Sequence, residues 1–263
     1  MRSRKPVVVP VLVAALSLAA STSPAAAGSE SGKDAAESPR WSLPPVELPG
    51  RPAHPVVACT PEELRRLREA YASKGPERAP VSAIVEEAER FLRRVPEFPP
   101  RGGQHNQWYQ CDRCQIGLTT VDPTHHRCPE CGTVYSGEPY DDVIFARVHH
   151  ANLSGVSAAA WAFAITGEKR FAERARDVLL GYAVRYRSYP YHTAARERDP
   201  SRSRTGGRLF EQTLDEASSL AHDIAPAFDL IDAPDVLSDG DRASIREGLL
   251  LPMLEGIGKR GVC

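Results

Sequence analysis

The chain has 263 residues, 33 Lys and Arg against 34 Asp and Glu, and a formal charge of -1. That balance excludes bulk attraction to nucleic acid, although clustered arginines can still hold an anion locally. With 41% hydrophobic residues the chain can bury a substantial core.

Arg2, Arg4 and Lys5 precede an apolar run from Val7 to Ala20, and small residues end at Ala25, Ala26 and Ala27. This is the pattern of a signal peptide over residues 1–27, with a secreted or periplasmic destination. The run is short of the roughly 20 residues a membrane span needs, and Pro10 interrupts it, so no stable anchor is expected after cleavage. Residues 28–55 are rich in Pro, Ser, Gly and Glu without apolar period and read as a tether.

Residues 56–98 predict two helices. Thr60, Pro61 and Glu63 form a capping box, with Leu64, Leu67 and Tyr71 on the buried side. After Gly75 and Pro76, a second stripe runs through Ile84, Ala88, Phe91 and Val95. Over residues 99–140 the helical period disappears. Cys111 and Cys114 form one C-x-x-C pair and Cys128 and Cys131 another, thirteen residues apart. Such spacing lets four thiolates meet one tetrahedral metal, and predicts a structural zinc with no open position for catalysis. Two disulfides are the alternative that an oxidising compartment favours. His125 and His126 are read as solvated turn residues or substitute ligands, and Cys59 and Cys263 as unpaired.

Residues 141–263 return to helical spacing. Leu153, Val156, Ala160 and Phe163 mark a long helix closed by Gly167, and Phe171, Ala175, Val178, Leu179, Tyr182 and Tyr186 its antiparallel partner. His149 and His150 open that long helix, one of them facing solvent. Leu214, Ala217, Ala221, Ile224, Phe228 and Ile231 make another stripe, kinked at Pro226. His222, one step off it, is read as a hydrogen-bonded core histidine. Ser238 and Asp241 start the last helix, with Ile245, Leu249, Met253 and Ile257 inside and a bend at Pro252. The fold class is therefore all-α, a stack of helical hairpins with a small inserted knuckle.

Between two helices lie Arg196, Arg198, Arg202, Arg204 and Arg208, against only Glu197 and Asp199. Their guanidinium forks match carboxylate and sulfate, which makes Arg202, Arg204 and Arg208 candidate contacts for an acidic ligand; a merely solvated loop is the alternative. Tyr189, Tyr191 and His192 can stack on sugar rings or fill an interhelical corner. Gln212, Asp215 and Glu216 open a helix, where acids complement the dipole.

The segments "HPVVACTPEELRRLR", "WYQCDRCQ…HHRCPECGTVYSGEPYD", "HHANLSGVSAAAWAFAITGEKRFAERARDVLLGYAVRYRSYPYH" and "GGRLFEQTLDEASSLAHDIAPAFDLI" resemble, in that order, the front part of heparinase II/III-like polysaccharide lyases. The resemblance implies a partial (α/α) toroid with a zinc-ribbon insertion, acidic polysaccharide as partner, and cleavage beside a uronic acid by β-elimination. It also implies that Gln212 faces the substrate cleft. The family's catalytic Asn, His and Tyr are expected downstream of the helix ending near Ile257, so this chain alone is expected to be inactive. The alternatives are a glycoside hydrolase on a similar toroid, using carboxylates such as Glu211 and Asp215, or a non-catalytic glycan-binding domain.

Overall fold

The computed structural model describes residues 54–260; the signal-peptide reading, the tether reading except for His54 and Pro55, and Cys263 lie outside them. Over these described residues the chain is all-α apart from one small sheet. Helices α1 (Pro61–Ala72), α2 (Arg78–Leu92), α3 (Tyr140–Thr166) and α4 (Lys169–Ala183) are followed by α5 (Thr213–Ser219), α6 (Ala225–Ile231), α7 (Asp239–Ile245) and α8 (Leu251–Arg260). None of the described helices is long and apolar enough to cross a membrane.

Both capping boxes form. Thr60 accepts from the Glu63 amide while Glu63 reaches back to the Thr60 amide, and Ser238 and Asp241 repeat the exchange ahead of α7. Gly167 closes α3 with φ 76°, its amide bonding Phe163 O. Helix α3 is the hub, packed by α4 and α2 and crossed by α6. Leu153, Val156 and Ala160 face Phe171, Ala175, Val178, Leu179 and Tyr182 in one continuous core. Ile245, Leu249 and Met253 are fully buried, as their spacing predicts.

Three phase errors are corrected. Val95 lies past the end of α2 and is 85% exposed; α2 buries Val81, Val85, Ala88 and Phe91 instead. Leu214, placed on the buried stripe, is 63% exposed, and Ala221 is exposed as well. The reason is a π-helical turn, Leu220–Ile224, between α5 and α6. It inserts a wider turn before Pro226 and rotates the preceding helix, so that Thr213, Glu216 and Ser219 face inward. A second π turn, Arg246–Leu250, stands in the same relation to Pro252. In each case the amide one residue before the proline bonds five residues back, Ala225 to Leu220 O and Leu251 to Arg246 O. At the two prolines where the sequence pattern predicted a kink or bend, the chain absorbs the missing donor by widening the helix.

The start of the described chain is pinned to α6 by Asp229. Its carboxylate, 3% exposed, accepts the amides of Val56, Val57 and Ala58 at 2.7–3.0 Å and faces His54 Nδ1 at 2.5 Å. Burial pushes this carboxyl upward, but the three amides and His54 outweigh it and leave the pKa below its ordinary value.

Between α2 and α3 the chain forms an antiparallel sheet, β1 (Thr119–Asp122), β2 (His125–Arg127) and β3 (Val134–Tyr135), in that order. Strands this short do not stand alone in water. Their support is a separate small core of Tyr109, Cys111, Leu118, Cys128 and Val143.

Candidate functional sites: a four-cysteine centre and a loop junction

The two C-x-x-C segments fold alike. Cys111 N–H bonds Ile116 O at 2.8 Å and Cys128 N–H bonds Thr133 O at 2.9 Å. Within each pair the second cysteine's amide points at the first sulfur, Cys114 N to Cys111 Sγ at 3.4 Å and Cys131 N to Cys128 Sγ at 3.5 Å. The residue after each pair turns left-handed, Gln115 at φ 55° and Gly132 at φ 73°. This repeated turn brings the four sulfurs within 4.8 Å of one another, with Cys111 and Cys131 3.7 Å apart. A tetrahedron of sulfurs at the usual zinc–sulfur length has edges of about 3.8 Å, so the set fits such an ion. None of the four cysteines is bonded to another. Amides aimed at Cys111 and Cys128, and the Tyr135 hydroxyl 3.2 Å from Cys111 Sγ, are groups that stabilise thiolate charge.

His126 is neither a solvated turn residue nor a member of the sulfur cluster. It is fully buried, donating Nε2–H to Asp141 at 3.0 Å while Nδ1 faces the Tyr109 hydroxyl at 2.8 Å. Asp141 in turn accepts the Gly137 amide at the start of α3. This chain of bonds ties the knuckle to the helical body. His125 is exposed and pairs with Asp122.

A second cluster of polar groups forms where the loops 101–106, 189–193 and 206–213 converge above α3. Gly103 makes a parallel bridge with Phe210, and His192 an antiparallel bridge with Gly207. Glu216 holds the junction from below. Its Oε1 accepts the amides of Arg208 at 2.6 Å and Leu209 at 2.5 Å, with Phe210 N at 3.4 Å, and Oε2 accepts the Tyr186 hydroxyl at 2.7 Å. Position 207 must be glycine, because a Cβ there would fall 2.4 Å from the Glu216 carboxyl carbon.

The sequence-predicted contacts divide into inner and outer groups here. Tyr189 and His192 are 2% and 1% exposed, and each donates to a backbone carbonyl, Tyr189 to Pro99 O at 2.9 Å and His192 Nε2 to Gly103 O at 2.8 Å. Their polar tips brace the junction, in the manner of the interhelical-corner alternative. Arg208 is likewise committed to backbone, at Tyr189 O and Arg187 O. Arg202 and Arg204 lie exposed on the outer loop, Arg202 within 3.4 Å of Glu197. Gln212 is half-buried at the N-cap of α5 and makes no side-chain cap bond.

Two further residues belong to the junction, Gln104, which no motif flagged, and Glu211, a candidate carboxylate of the hydrolase alternative. Gln104 and Glu211 stand one step past the Gly103–Phe210 bridge, and each has a buried side-chain oxygen without a hydrogen-bond partner. Burial, then the negative charge of Asp215, raises the Glu211 pKa and favours the neutral acid. At 2% exposure Glu211 is closed to a sugar, which removes it as the solvent-facing acid of the hydrolase alternative.

The His149–His150 pair is split as expected, His150 exposed and stacked on Phe210 at 4.3 Å, His149 fully buried. His149 donates Nε2–H to Arg101 O and accepts from the Tyr182 hydroxyl, both at 3.0 Å. His222 is exposed on the turn before Asp223, bonded to Ser218 O at 2.9 Å, rather than in the core. Burial lowers the His149 pKa to about 4. Since the unfolded value is near 6.5, the unfolded chain binds the extra proton between those limits, and stability falls as pH drops through that window. The expected loss is about 3 kcal/mol at pH 4 relative to pH 7. Thermal unfolding of the wild type and of His149→Gln across this range checks it: the variant, having no proton to gain, should show a flatter profile.

No family model matches the chain. Over 105 residues, 40% of the chain, it is 32% identical to an exo-oligoalginate lyase of Saccharophagus degradans. Over 107 residues, 41% of the chain, it is 33% identical to an alginate lyase of Stenotrophomonas maltophilia. The matched stretch spans 13% of the length of each of these relatives. Over that stretch the chain is related to polysaccharide lyases.

Proposed function

We propose that this chain is the front, substrate-contacting part of an exported heparinase II/III-like lyase that cleaves uronate-containing polysaccharide by β-elimination. The observation that carries the reading is its likeness to alginate lyases from two organisms, each about a third identical over roughly 105 residues. The helical hairpins around α3 form the opening of an (α/α) toroid, and the loop junction lies at its rim. Cys111, Cys114, Cys128 and Cys131 hold one structural zinc, which supplies folding energy to a knuckle too small to fold by burial alone. Arg202 and Arg204 meet substrate carboxylates, with Gln212 at the cleft edge.

Elimination needs a base for the C5 proton, a proton for the leaving oxygen, and compensation of the uronate charge. Two Tyr–His pairs lie within hydrogen-bonding distance, His149–Tyr182 and His126–Tyr109, and all four side chains are buried. A sugar cannot reach either pair. On this reading the 263-residue chain binds polyuronate and leaves it uncut, since neither buried pair can serve a sugar as base or acid. The test is the ultraviolet absorbance of the unsaturated uronate that elimination creates. The chain alone should give none, and a protein extended by the rest of a relative-length lyase should give a steady rise. Reducing ends released without that absorbance would overturn the reading in favour of hydrolysis.

A further inference from the structure

The knuckle leaves and re-enters the helical body through two short segments, and both grip the arginine-rich loop. On the entry side Gln104 Nε2 donates to Thr193 O at 2.9 Å, and Trp108 Nε1–H donates to Ala194 O at 3.1 Å. The Trp108 ring also carries the Arg196 guanidinium, 5.0 Å from its centroid. On the exit side Glu138 pairs with Arg198 at 2.6 Å. Arg196 has φ 63°, a left-handed conformation that a non-glycine residue keeps only where neighbours hold it.

The loop's other ties are internal or at its foot. Glu197 N–H bonds Thr193 Oγ1, Ser201 bonds Asp199, Arg202 faces Glu197, and the His192–Gly207 bridge closes the base. Lateral support comes from Trp108 and Glu138, one on each flank of the cysteine centre. Trp108 packs on the knuckle core of Tyr109, Cys111, Leu118, Cys128 and Val143. Glu138 follows β3, whose pairing with β2 depends on the same core. Strands of four, three and two residues depend on that core, on the sulfur centre and on the His126–Asp141 bond for their order.

We propose that the metal centre positions the anion-binding loop: occupancy of the four cysteines sets the pose of residues 194–205, so contact of Arg202 and Arg204 with a polyuronate depends on the metal although neither touches it. This rests on the reading of those arginines given above. Trp108 and Glu138 are then positioning residues that transmit the order of the knuckle to the loop, and Arg196 and Arg198 are the loop's anchors. Of the four guanidiniums between residues 196 and 204, Arg196 and Arg198 are engaged by the flanks of the knuckle, whereas Arg202 and Arg204 lie exposed on the outer loop.

Limited trypsin digestion of the full chain, followed by mass spectrometry, measures the coupling. Removing the metal with a chelator should accelerate cleavage at Arg202 and Arg204 at least about tenfold, while cleavage at Arg65 and Arg66 in α1 stays unchanged and reports an intact helical body. Metal-loaded Trp108→Ala should be cleaved at Arg202 and Arg204 at the fast rate while retaining one equivalent of zinc, and Arg198→Ala should fall between. Equal cleavage rates with and without metal, or a Trp108→Ala rate equal to wild type, overturn the coupling. Retention on immobilised polyuronate is run in parallel: it should drop on chelation to the level of metal-loaded Arg202→Ser/Arg204→Ser. A double variant retained like wild type overturns the arginine reading itself, independently of what the cleavage rates show.

Discussion

Replacing Cys128 by serine is expected to abolish zinc binding and unfold residues 104–137 while leaving the α1–α4 body helical. Cys128 is fully buried beside Cys111, and its sulfur takes the Cys131 amide, so no nearby group can replace it. Zinc in such sites contributes apparent free energies of about 10–16 kcal/mol, far beyond what nine strand residues supply. The loss should exceed the roughly ten- to hundredfold fall in metal affinity that removal of an outer-shell partner causes. Elemental analysis should fall from one zinc per chain to none. Hydrogen exchange should show amides such as Cys111 and Leu118 losing protection while those of Val156 and Leu179 keep it. One retained zinc, or an unchanged exchange pattern, would contradict the assignment. His126→Ala separates anchoring from ligation, since it should keep the zinc and loosen the knuckle from Asp141.

Glu216→Ala is expected to destabilise the helical body by roughly 3–5 kcal/mol, the range reached when a buried hydrogen-bonded network is broken. The substitution leaves the amides of Arg208, Leu209 and Phe210 and the Tyr186 hydroxyl without their acceptor in a site 1% exposed. For a body of this size the midpoint should fall by about 10 °C. Glu216→Gln should lose about half as much. Its one remaining oxygen can still take the amides, and its NH₂ can donate to the Tyr186 oxygen. A Glu216→Ala midpoint within about 2 °C of wild type would show that the 206–213 loop is held by other contacts.

Features governed by neighbours in sequence were legible before the structure. The Thr60 and Ser238 caps, the Gly167 stop and the α3–α4 hairpin depend on residues three or four apart, and the C-x-x-C pairs depend on a local turn that each builds for itself. What failed depends on partners far along the chain. Leu214 satisfied the apolar spacing, yet Glu216 must turn inward to reach amides 6–8 residues back, and the π turn before Pro226 accommodates that rotation. His126 looked like a turn residue because Asp141 and Tyr109, which bury it, are 15 and 17 residues away. Tyr189 and His192 carry groups that suit a sugar, and their burial follows from carbonyls 90 and 89 residues distant. Composition could not separate Arg202 and Arg204 from Arg196, Arg198 and Arg208, which Trp108, Glu138 and backbone carbonyls engage.

The junction adds a physical constraint on the proposed chemistry. Gln104 and Glu211 each keep a buried oxygen without a hydrogen-bond partner, an arrangement that burial makes costly for a charged carboxylate. In the proposed complex the exposed ionic contacts of Arg202 and Arg204 are individually weak and salt-sensitive, so the proposal requires several uronates bound along the chain.

Isothermal titration of the zinc-loaded chain with an oligouronate, against a neutral oligosaccharide of equal length, tests the central claim most directly. The account predicts binding of the oligouronate alone, weakening as salt rises and lost in Arg202→Ser/Arg204→Ser, with no unsaturated product formed in the cell. Equal binding of the neutral oligosaccharide, or no heat with either, would contradict it.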